Sequence, residues 1–192
     1  MKVFFTADCH FGHSNIIKYC KRPFKNITHM NEEIVKRWND VVSVNDLVYH
    51  VGDFAYKGQK TAKEFEKRLN GDIVHIQGNH DMNNGVKTYI TKCMMYFGSK
   101  DVFVQHHPPD IIPICDFCLC GHIHDKWKFK VVSMGMKSII KGEELVPVIN
   151  VGMDVWEFQP VSTLSILKYY NEIIKGKYGN LEDLVEKQPQ SI

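Results

Sequence analysis

Short apolar runs alternate with amphipathic segments along the first part of the chain. Three runs are rich in β-branched and aromatic residues and predict strands at 2–7, 46–51 and 72–76. Between the first two runs, an apolar stripe at helical spacing predicts a helix over 28–42, formed by Met30, Ile34, Trp38 and Val41. A further helix is predicted over 61–69. Strands that alternate with helices in this order favour a parallel α/β sheet.

The second part of the chain is dominated by strands. They are predicted at 101–105, 116–120, 127–133 and 145–151, with a polar, hairpin-like segment between the last two. Residues 86–98 show no clear period and predict neither a helix nor a strand. Ser162 is a suitable N-cap for a helix that runs to Ile174. We expect a single domain over 1–192, in which about 176–192 is a polar C-terminal tail with a helical turn near 181–185.

Composition places the chain among ordinary globular proteins. It has 192 residues, of which 44% are hydrophobic and 24% charged, and this is enough to bury a real core. The formal net charge of +2 implies no strong attraction to nucleic acid or to a membrane surface. No apolar run approaches the roughly 18 residues of a membrane span. The six cysteines form no disulfide framework and the start lacks a signal pattern, so we expect a cytoplasmic protein.

Polar side chains suited to metal binding follow the apolar runs at five points. They are Asp8 with His10, Asp53, the segment Gly78-Asn79-His80-Asp81, His106, and His122 with His124. Each group alone is better explained as a turn or a helix cap. Together they combine carboxylates, imidazoles and an amide at what we expect to be one edge of the fold. These donors suit manganese, iron, zinc, cobalt or nickel rather than calcium.

The order of these groups resembles that of the calcineurin-like metallophosphoesterase superfamily. The blocks run Asp-x-His, Gly-Asp, Gly-Asn-His-Asp, His-x-Pro and Gly-His-x-His, all in order between Asp8 and His124. Further segments at 8–13, 22–24 and 150–154 are similar to its small, minimal prokaryotic and phage members. The resemblance implies an α/β fold, namely an αββα sandwich of two mixed sheets with the active site at the carboxyl ends of the strands.

The resemblance also implies two divalent metal ions. Manganese is expected first, with iron, zinc, nickel or cobalt as alternatives. The implied ligands are Asp8, His10 and His124 for one ion, Asn79, His106 and His122 for the other, and Asp53 as the bridge between them. His107 is a second imidazole beside His106, and the resemblance leaves open which of the two is the ligand.

Four further residues are given roles around these ligands. The resemblance makes His80 a catalytic histidine that is not a ligand, oriented by the carboxylate of Asp81. We expect His13 and Arg22 at the substrate phosphate, because imidazole and guanidinium groups suit phosphate oxygens. Helix capping competes as the explanation for His13, and a surface salt bridge competes for Arg22.

The function expected from the resemblance is that of a metal-dependent phosphoesterase. A chain of this length leaves no room for a large cap over the site, which favours a phosphodiester such as a small or cyclic nucleotide or an end group. A phosphomonoesterase is the alternative from the same class, and a non-catalytic metal-binding scaffold is the alternative from another class. All ligand blocks and His80 are present, and this favours an enzyme. The sequence leaves open the natural substrate, the native metal and the oligomeric state, for which a homo-oligomer is one possibility.

Overall fold

Two β-sheets pack face to face in the structure, a computed structural model that describes residues 1–56, 59–110, 112–133 and 145–185. The strands are β1 (Val3–Thr6), β2 (Leu47–Val51), β3 (Asp72–Ile76), β4 (Lys92–Phe97), β5 (Lys100–Gln105), β6 (Phe117–Cys120), β7 (Phe129–Ser133), β8 (Leu145–Asn150) and β9 (Val161–Ser162). The α-helices are α1 (Ile16–Tyr19), α2 (Ile27–Val41), α3 (Gln59–Glu66), α4 (Asp81–Asn84) and α5 (Thr163–Ile174). Single turns of 3-10 helix lie at Met153–Val155 and Leu181–Leu184.

The first sheet has the strand order β3-β2-β1-β9. β1, β2 and β3 are parallel to one another, whereas β9 is antiparallel to β1. Parallel neighbours need a crossover connection, and the chain makes these returns through α2 and α3. The three parallel strands therefore end at the same edge of the sheet.

The second sheet has the strand order β4-β5-β6-β8-β7. β5, β6 and β8 are parallel, and the antiparallel strands β4 and β7 form its two edges. A parallel bridge between Ala7 and Gly152 joins the segment after β1 to the segment after β8. The parallel strands of both sheets thus run in the same direction and end together. The predicted sandwich of two mixed sheets is confirmed.

Alternation along the strands separates two layers of the core. Phe5 of β1 points between the sheets, where it joins Leu119 of β6 and Ile149 of β8. Its neighbour Phe4 points to the opposite face and packs with residues of α2 and α3, including Trp38. Side chains that alternate in this way bury both faces of the first sheet, which is the pattern of a parallel sheet covered on both sides.

The helix predictions hold for the two longest helices, and the structure gives their starting signals. α2 is shifted by one residue from its predicted range, and the side chain of Asn26 caps it by accepting a hydrogen bond from the backbone N–H of His29 at 2.9 Å. Ser162 caps α5 as predicted, accepting from the N–H of Ser165 at 3.1 Å. The unassigned segment 86–98 contains β4, an edge strand. The predicted hairpin-like segment, 134–144, lies outside the described residues.

Part of the predicted tail packs on the second sheet. The ring centre of Tyr178 lies 5.5 Å from that of Phe129 and 5.5 Å from that of Tyr169. Val185 forms an isolated bridge with Val131 of β7. The chain up to residue 185 therefore belongs to the domain. Among the described residues, no helix combines the length and apolar character that crossing a bilayer requires.

Candidate metal centre

The loops after the parallel strands of both sheets meet at one edge of the sandwich. The loop after β1 is tied to the loop after β2, because the N–H of Asp8 donates to the carbonyl of Gly52 and the N–H of His10 donates to that of Asp53, each at 3.0 Å. The N–H of Gly121 donates to the carbonyl of His106 at 2.9 Å, which ties the loops after β5 and β6. These backbone hydrogen bonds bring together the polar groups that follow the strands, as the sequence predicts.

Most of the expected ligands have a left-handed backbone conformation. A positive φ is uncommon for a residue with a side chain, and holding one costs on the order of 1–3 kcal/mol. The positive φ angles are 59° at Asp8, 51° at His10, 60° at Asp53, 71° at His122 and 50° at His124. Backbone strain of this kind concentrates at functional sites, where the surrounding structure must impose it.

Two glycines allow the loops to approach the central carboxylate and imidazole. A methyl group at Gly78 would overlap the carboxylate and the backbone nitrogen of Asp53, and one at Gly52 would overlap the ring of His106. Gly52 also has a φ of 90°. No residue larger than glycine fits at either position without displacing a member of the site.

One group of donors comprises Asp8, His10 and His124, whose nearest polar atoms lie within 4.8 Å of one another. The N–H of His122 donates to both oxygens of Asp8, at 3.1 and 2.9 Å, which fixes the carboxylate. The Nε2 atom of His10 is buried and has no hydrogen-bond partner among the described residues. A buried imidazole nitrogen without a partner is costly unless something else binds it, and a metal ion would do so.

A second group of donors surrounds the side chain of Asn79. Its Oδ1 atom lies 3.1 Å from Nε2 of His106 and 3.1 Å from Nδ1 of His122. Nδ1 of His106 donates to the carbonyl of Val51 at 2.8 Å, so Nε2 is the nitrogen that faces the centre. His107 is exposed, and its ring centre lies 4.0 Å from that of His122. His106, His107 and His122 also form a set whose donor atoms lie within 4.8 Å.

The carboxylate of Asp53 lies between the two groups. Its Oδ2 atom is 3.6 Å from Nε2 of His10 and 3.4 Å from Nε2 of His106. The same oxygen is 3.9 Å from Nε2 of His80. The other oxygen, Oδ1, accepts the backbone N–H of His80 at 2.9 Å. One carboxylate oxygen is therefore anchored and the other faces three imidazoles.

Burial and charge shift the pKa values of the carboxylates in opposite directions. Burial raises the pKa of Asp8 to about 6, although the charges of His106 and His124 oppose the shift. Burial would also raise the pKa of Asp53, but the hydrogen bond with His106 and the charges of His106 and His10 outweigh it and hold that pKa well below its usual range. Asp53 therefore carries a firm negative charge at the centre of the site.

The pKa values of the histidines are also shifted in opposite directions. Burial lowers the pKa of His106, but its hydrogen bond to Asp53 and the charge of Asp8 overcome this and raise the pKa to about 9. Burial also lowers the pKa of His124, but its hydrogen bonds with Asp154 and Cys20 outweigh burial and raise the pKa to about 10. Burial together with its histidine neighbours lowers the pKa of His122 to about 4.

The expectation that Asp81 orients His80 is corrected by the structure. Oδ2 of Asp81 accepts the backbone N–H groups of Asp53 at 2.9 Å and Gly78 at 2.7 Å, and Oδ1 accepts that of Phe54 at 3.0 Å. Asp81 is fully buried. Both oxygens are thus used to join the loop after β2 to the loop after β3. The sequence places Asp81 next to His80, but its side chain turns inward to satisfy backbone donors.

The expectation that Arg22 binds the substrate phosphate is also corrected, and so is its surface alternative. The side chain of Arg22 is 0% exposed and forms a buried ion pair with Asp154. Its guanidinium also donates to the carbonyls of Asp8 and Cys9. Arg22 therefore lies beneath the site. Its guanidinium provides hydrogen-bond donors for buried carbonyls of the strained loop after β1.

His13 and His80 lie on the open side of the site. The ring of His13 stacks on Tyr56, with centres 4.2 Å apart and planes inclined by 20°. Its Nδ1 atom is 3.4 Å from Nδ1 of His10, and its ring centre is 6.2 Å from that of His80. The side chain of His80 is 40% exposed. These two imidazoles are partly exposed and lie beside Asp53 and His10.

Sequence reasoning assigned no role to two residues that contact the site, although one of them ends the segment 150–154 that carries part of the resemblance. Tyr56 lies in the loop after β2 and has no recognisable signal in the sequence. Asp154 lies just beyond β8, which ends at Asn150, and its carboxylate is 3.3 Å from Nδ1 of His124. Asp154 follows the parallel strand β8, as the other polar residues of the site follow their strands, and this position is its signal in the sequence. His50 lies in the core, with Nε2 at 3.1 Å from Sγ of Cys9.

Comparison with known proteins identifies the family of this chain. The model of the family described as calcineurin-like phosphoesterase matches residues 1–171. The chain belongs to the calcineurin-like phosphoesterase family. The uncharacterized protein MJ1445 of Methanocaldococcus jannaschii is 38% identical over 185 residues, which cover 92% of this chain and 93% of that protein.

A solved structure shares the fold of this phosphoesterase. The protein of unknown function AQ665 from Aquifex aeolicus superposes with a TM-score of 0.63 at 21% identity. The alignment covers 88% of this chain and 98% of that one. The likeness concerns the fold.

The family implies divalent metal ions, and the donors of this phosphoesterase fit them. Nitrogen and oxygen ligands lie about 2.0–2.2 Å from zinc-sized ions, so two ligands at a right angle are separated by about 3 Å. Oδ1 of Asn79 lies 3.1 Å from both His106 Nε2 and His122 Nδ1. Separations of this size leave room for an ion between the donors.

Asp81→Asn tests whether Asp81 supports the loops of the site. An amide has one acceptor oxygen and no charge, so it cannot serve three backbone donors, and hydrogen bonds to charged groups contribute about 1.5–3 kcal/mol each. We expect the free energy of unfolding, measured in urea on metal-stripped protein, to fall by about 2–3 kcal/mol. His80→Gln, the matched control, removes a half-exposed side chain and should change it by less than about 0.5 kcal/mol. Equal stability of the two variants would contradict the supporting role of Asp81.

Metal binding by this phosphoesterase should strengthen as pH rises. His106 and His124, with pKa values of about 9 and about 10, carry protons at neutral pH, and each must lose its proton to bind a metal. Each displaced proton weakens binding about tenfold for every pH unit below the pKa. Manganese titration calorimetry between about pH 6 and pH 9, repeated in buffers of different ionisation enthalpy, should show proton release. An affinity independent of pH over that range would contradict the protonated state of both histidines.

Proposed function

We propose that this chain is a dinuclear metal-dependent phosphohydrolase that cleaves a phosphodiester. The observation that carries the proposal is the position of Asp53. Its Oδ2 atom lies 3.6 Å from His10 Nε2 in one donor group and 3.4 Å from His106 Nε2 in the other. A carboxylate placed between two sets of ligands is suited to bridging two ions, which in phosphatases and nucleases lie about 3.5–4 Å apart.

Two sets of ligands flank that bridge. In our assignment, one ion is held by Asp8, His10 and His124 and the other by Asn79, His106 and His122. His106 is preferred to His107 as the ligand, because its Nε2 atom faces both Asn79 and Asp53 while its Nδ1 atom is fixed by Val51. A donor set of imidazole, carboxylate and amide suits manganese first, with iron, zinc, nickel and cobalt as alternatives.

The remaining chemistry belongs to residues on the open side. Bound divalent ions would supply Lewis-acid activation of water and of the phosphate ester. Nε2 of His80 lies 3.9 Å from the bridging oxygen of Asp53 and its side chain is 40% exposed. His80 is therefore placed to neutralise charge on the phosphate or to deliver a proton to the leaving oxygen. His13, held flat against Tyr56, would contact the phosphate or the leaving group.

The exposure of the site favours a small phosphodiester. His80 is half-buried, and Asn79 and His107 are exposed, so a substituent on either side of the phosphate has a path to solvent. The formal net charge of +2 gives little hold on long nucleic acid. We therefore assign the substrate to small or cyclic nucleotides or end groups, with phosphomonoesters as the alternative.

Asp53→Ala and His80→Ala separate metal binding from catalysis. Removing the bridge should abolish phosphodiesterase activity and reduce the number of bound metal ions. Removing His80 should lower kcat about 100-fold or more while two ions remain bound. Activity on a chromogenic phosphodiester with added manganese, and metal content after dialysis, are the two measurements. Asp40→Ala and His29→Ala, at exposed positions outside the site, are the matched controls.

Three results would change this proposal. Loss of both ions from His80→Ala would make His80 a ligand. A clear preference for phosphomonoesters over linear and cyclic diesters in the same panel would move the substrate to the alternative class. Folded protein with two ions bound, yet inactive on every ester in the panel, would leave a metal-binding scaffold.

A further inference from the structure

A buried ion pair between Arg22 and Asp154 lies beneath the metal centre. Nε of Arg22 donates to Oδ1 of Asp154 and Nη2 donates to Oδ2, both at 2.8 Å. The two side chains are 0% and 2% exposed. Removing two charges from water costs several kcal/mol each, and apolar replacements are often as stable, so stability alone does not explain such a pair. Its remaining contacts show what it does.

Arg22 holds the backbone of the loop that carries Asp8. Its Nη2 atom donates to the carbonyl of Asp8 at 2.7 Å and its Nη1 atom donates to that of Cys9 at 3.2 Å. Asp8 has a φ of 59°, a conformation that needs external support. The guanidinium supplies that support, because it satisfies two buried carbonyls at the strained position.

Asp154 holds the ring of His124. Its Oδ2 atom, which also accepts from Arg22, lies 3.3 Å from Nδ1 of His124. A carboxylate at one ring nitrogen fixes the orientation of the imidazole and leaves the other nitrogen, here Nε2, for a metal. In the other donor group, Nδ1 of His106 is held by the backbone carbonyl of Val51, without a charged partner.

We infer that Arg22 and Asp154 are positioning residues that set the metal affinity of the Asp8, His10 and His124 group selectively. The inference rests on the proposed two-metal function. The pair contacts two of the three residues in that group, through the backbone of Asp8 and the ring of His124. The described contacts of the pair do not include Asn79, His106 or His122.

A competing arrangement uses the same atoms differently. Sγ of Cys20 and the donors of His124 and Asp154 also lie within 4.8 Å of one another. If an ion bound there, it would take Nδ1 of His124, and Asp154 would be a ligand instead of a positioning residue. The protonation of Nδ1 in the zinc-loaded protein therefore distinguishes the two arrangements.

Asp154→Asn tests the inference by metal titration. The amide introduced at position 154 has one acceptor oxygen, and its NH2 group would face a donor of Arg22 or of His124. The ring of His124 therefore loses its fixed orientation. Outer partners of ligands typically contribute 10–100-fold to metal affinity. Manganese binding, followed by the electron paramagnetic resonance of the free ion, should show one site weakened about 10–100-fold and the other changed less than about threefold. Arg68→Gln, which breaks the exposed pair with Glu32, is the control and should alter neither site.

A double variant covers the case in which Asp154→Asn does not fold. Arg22→Met combined with Asp154→Leu removes both charges together, a replacement that buried pairs often tolerate. The folded double variant should lose affinity at the same single site. In zinc-loaded wild-type protein, nitrogen-15 NMR of His124 should show a protonated Nδ1 and a metal-bound Nε2.

Each contrary result has a distinct meaning. Equal weakening of both sites in the folded variants, or no weakening, would overturn the selective role. A metal-bound Nδ1 would overturn it in favour of the arrangement with Cys20. These readouts need no substrate, so absence of phosphoesterase activity would defeat the proposed function and leave the role of the pair standing. A wild-type protein that binds one ion would defeat the two-metal function, and Asp154→Asn would still have to weaken that ion for the pair to keep its role.

Discussion

The buried charge of Asp53 is the interaction on which the rest of the site depends. A carboxylate at this depth needs compensation, and the fold supplies it from every side. The N–H of His80 binds one oxygen at 2.9 Å, while the imidazoles of His10 and His106 face the other at 3.6 and 3.4 Å. Without these partners, burial would raise the pKa of Asp53 and favour its neutral form. The same arrangement that stabilises the charge places it where we propose the bridging ligand.

Backbone strain is the cost of that arrangement. Five of the expected ligands have φ angles between 50° and 71°, and the fold supports them through buried polar contacts instead of apolar packing. Asp81 joins the loops after β2 and β3, and Arg22 with Asp154 supports the loops after β1 and β6. The apolar core between the sheets fixes where the strands end, and these carboxylates and the guanidinium fix the last residues beyond those ends. The apolar residues that stabilise the fold therefore lie within the strands, and the polar residues of the candidate site lie just beyond the strand ends.

The sequence predicts the fold and the position of the site well, because both follow from period and order. Apolar runs locate the strands, and polar residues after them locate the edge at which Asp8, Asp53 and His106 meet. Side-chain direction is not encoded in this way. Asp81 and Arg22 stand beside active-site motifs in the sequence, yet both turn inward to satisfy backbone groups whose orientation depends on the tertiary structure. Asp154 also follows the end of a strand, but its contact with the ring of His124 is evident only from the tertiary structure.

Anomalous X-ray scattering from crystals loaded with manganese tests the central claim, that Asp53 bridges two ions, most directly. The account predicts two peaks about 3.5–4 Å apart, with the carboxylate of Asp53 between them. One peak should lie among Asp8, His10 and His124 and the other among Asn79, His106 and His122. A single peak at saturating manganese, or two peaks of which one does not contact Asp53, would contradict it.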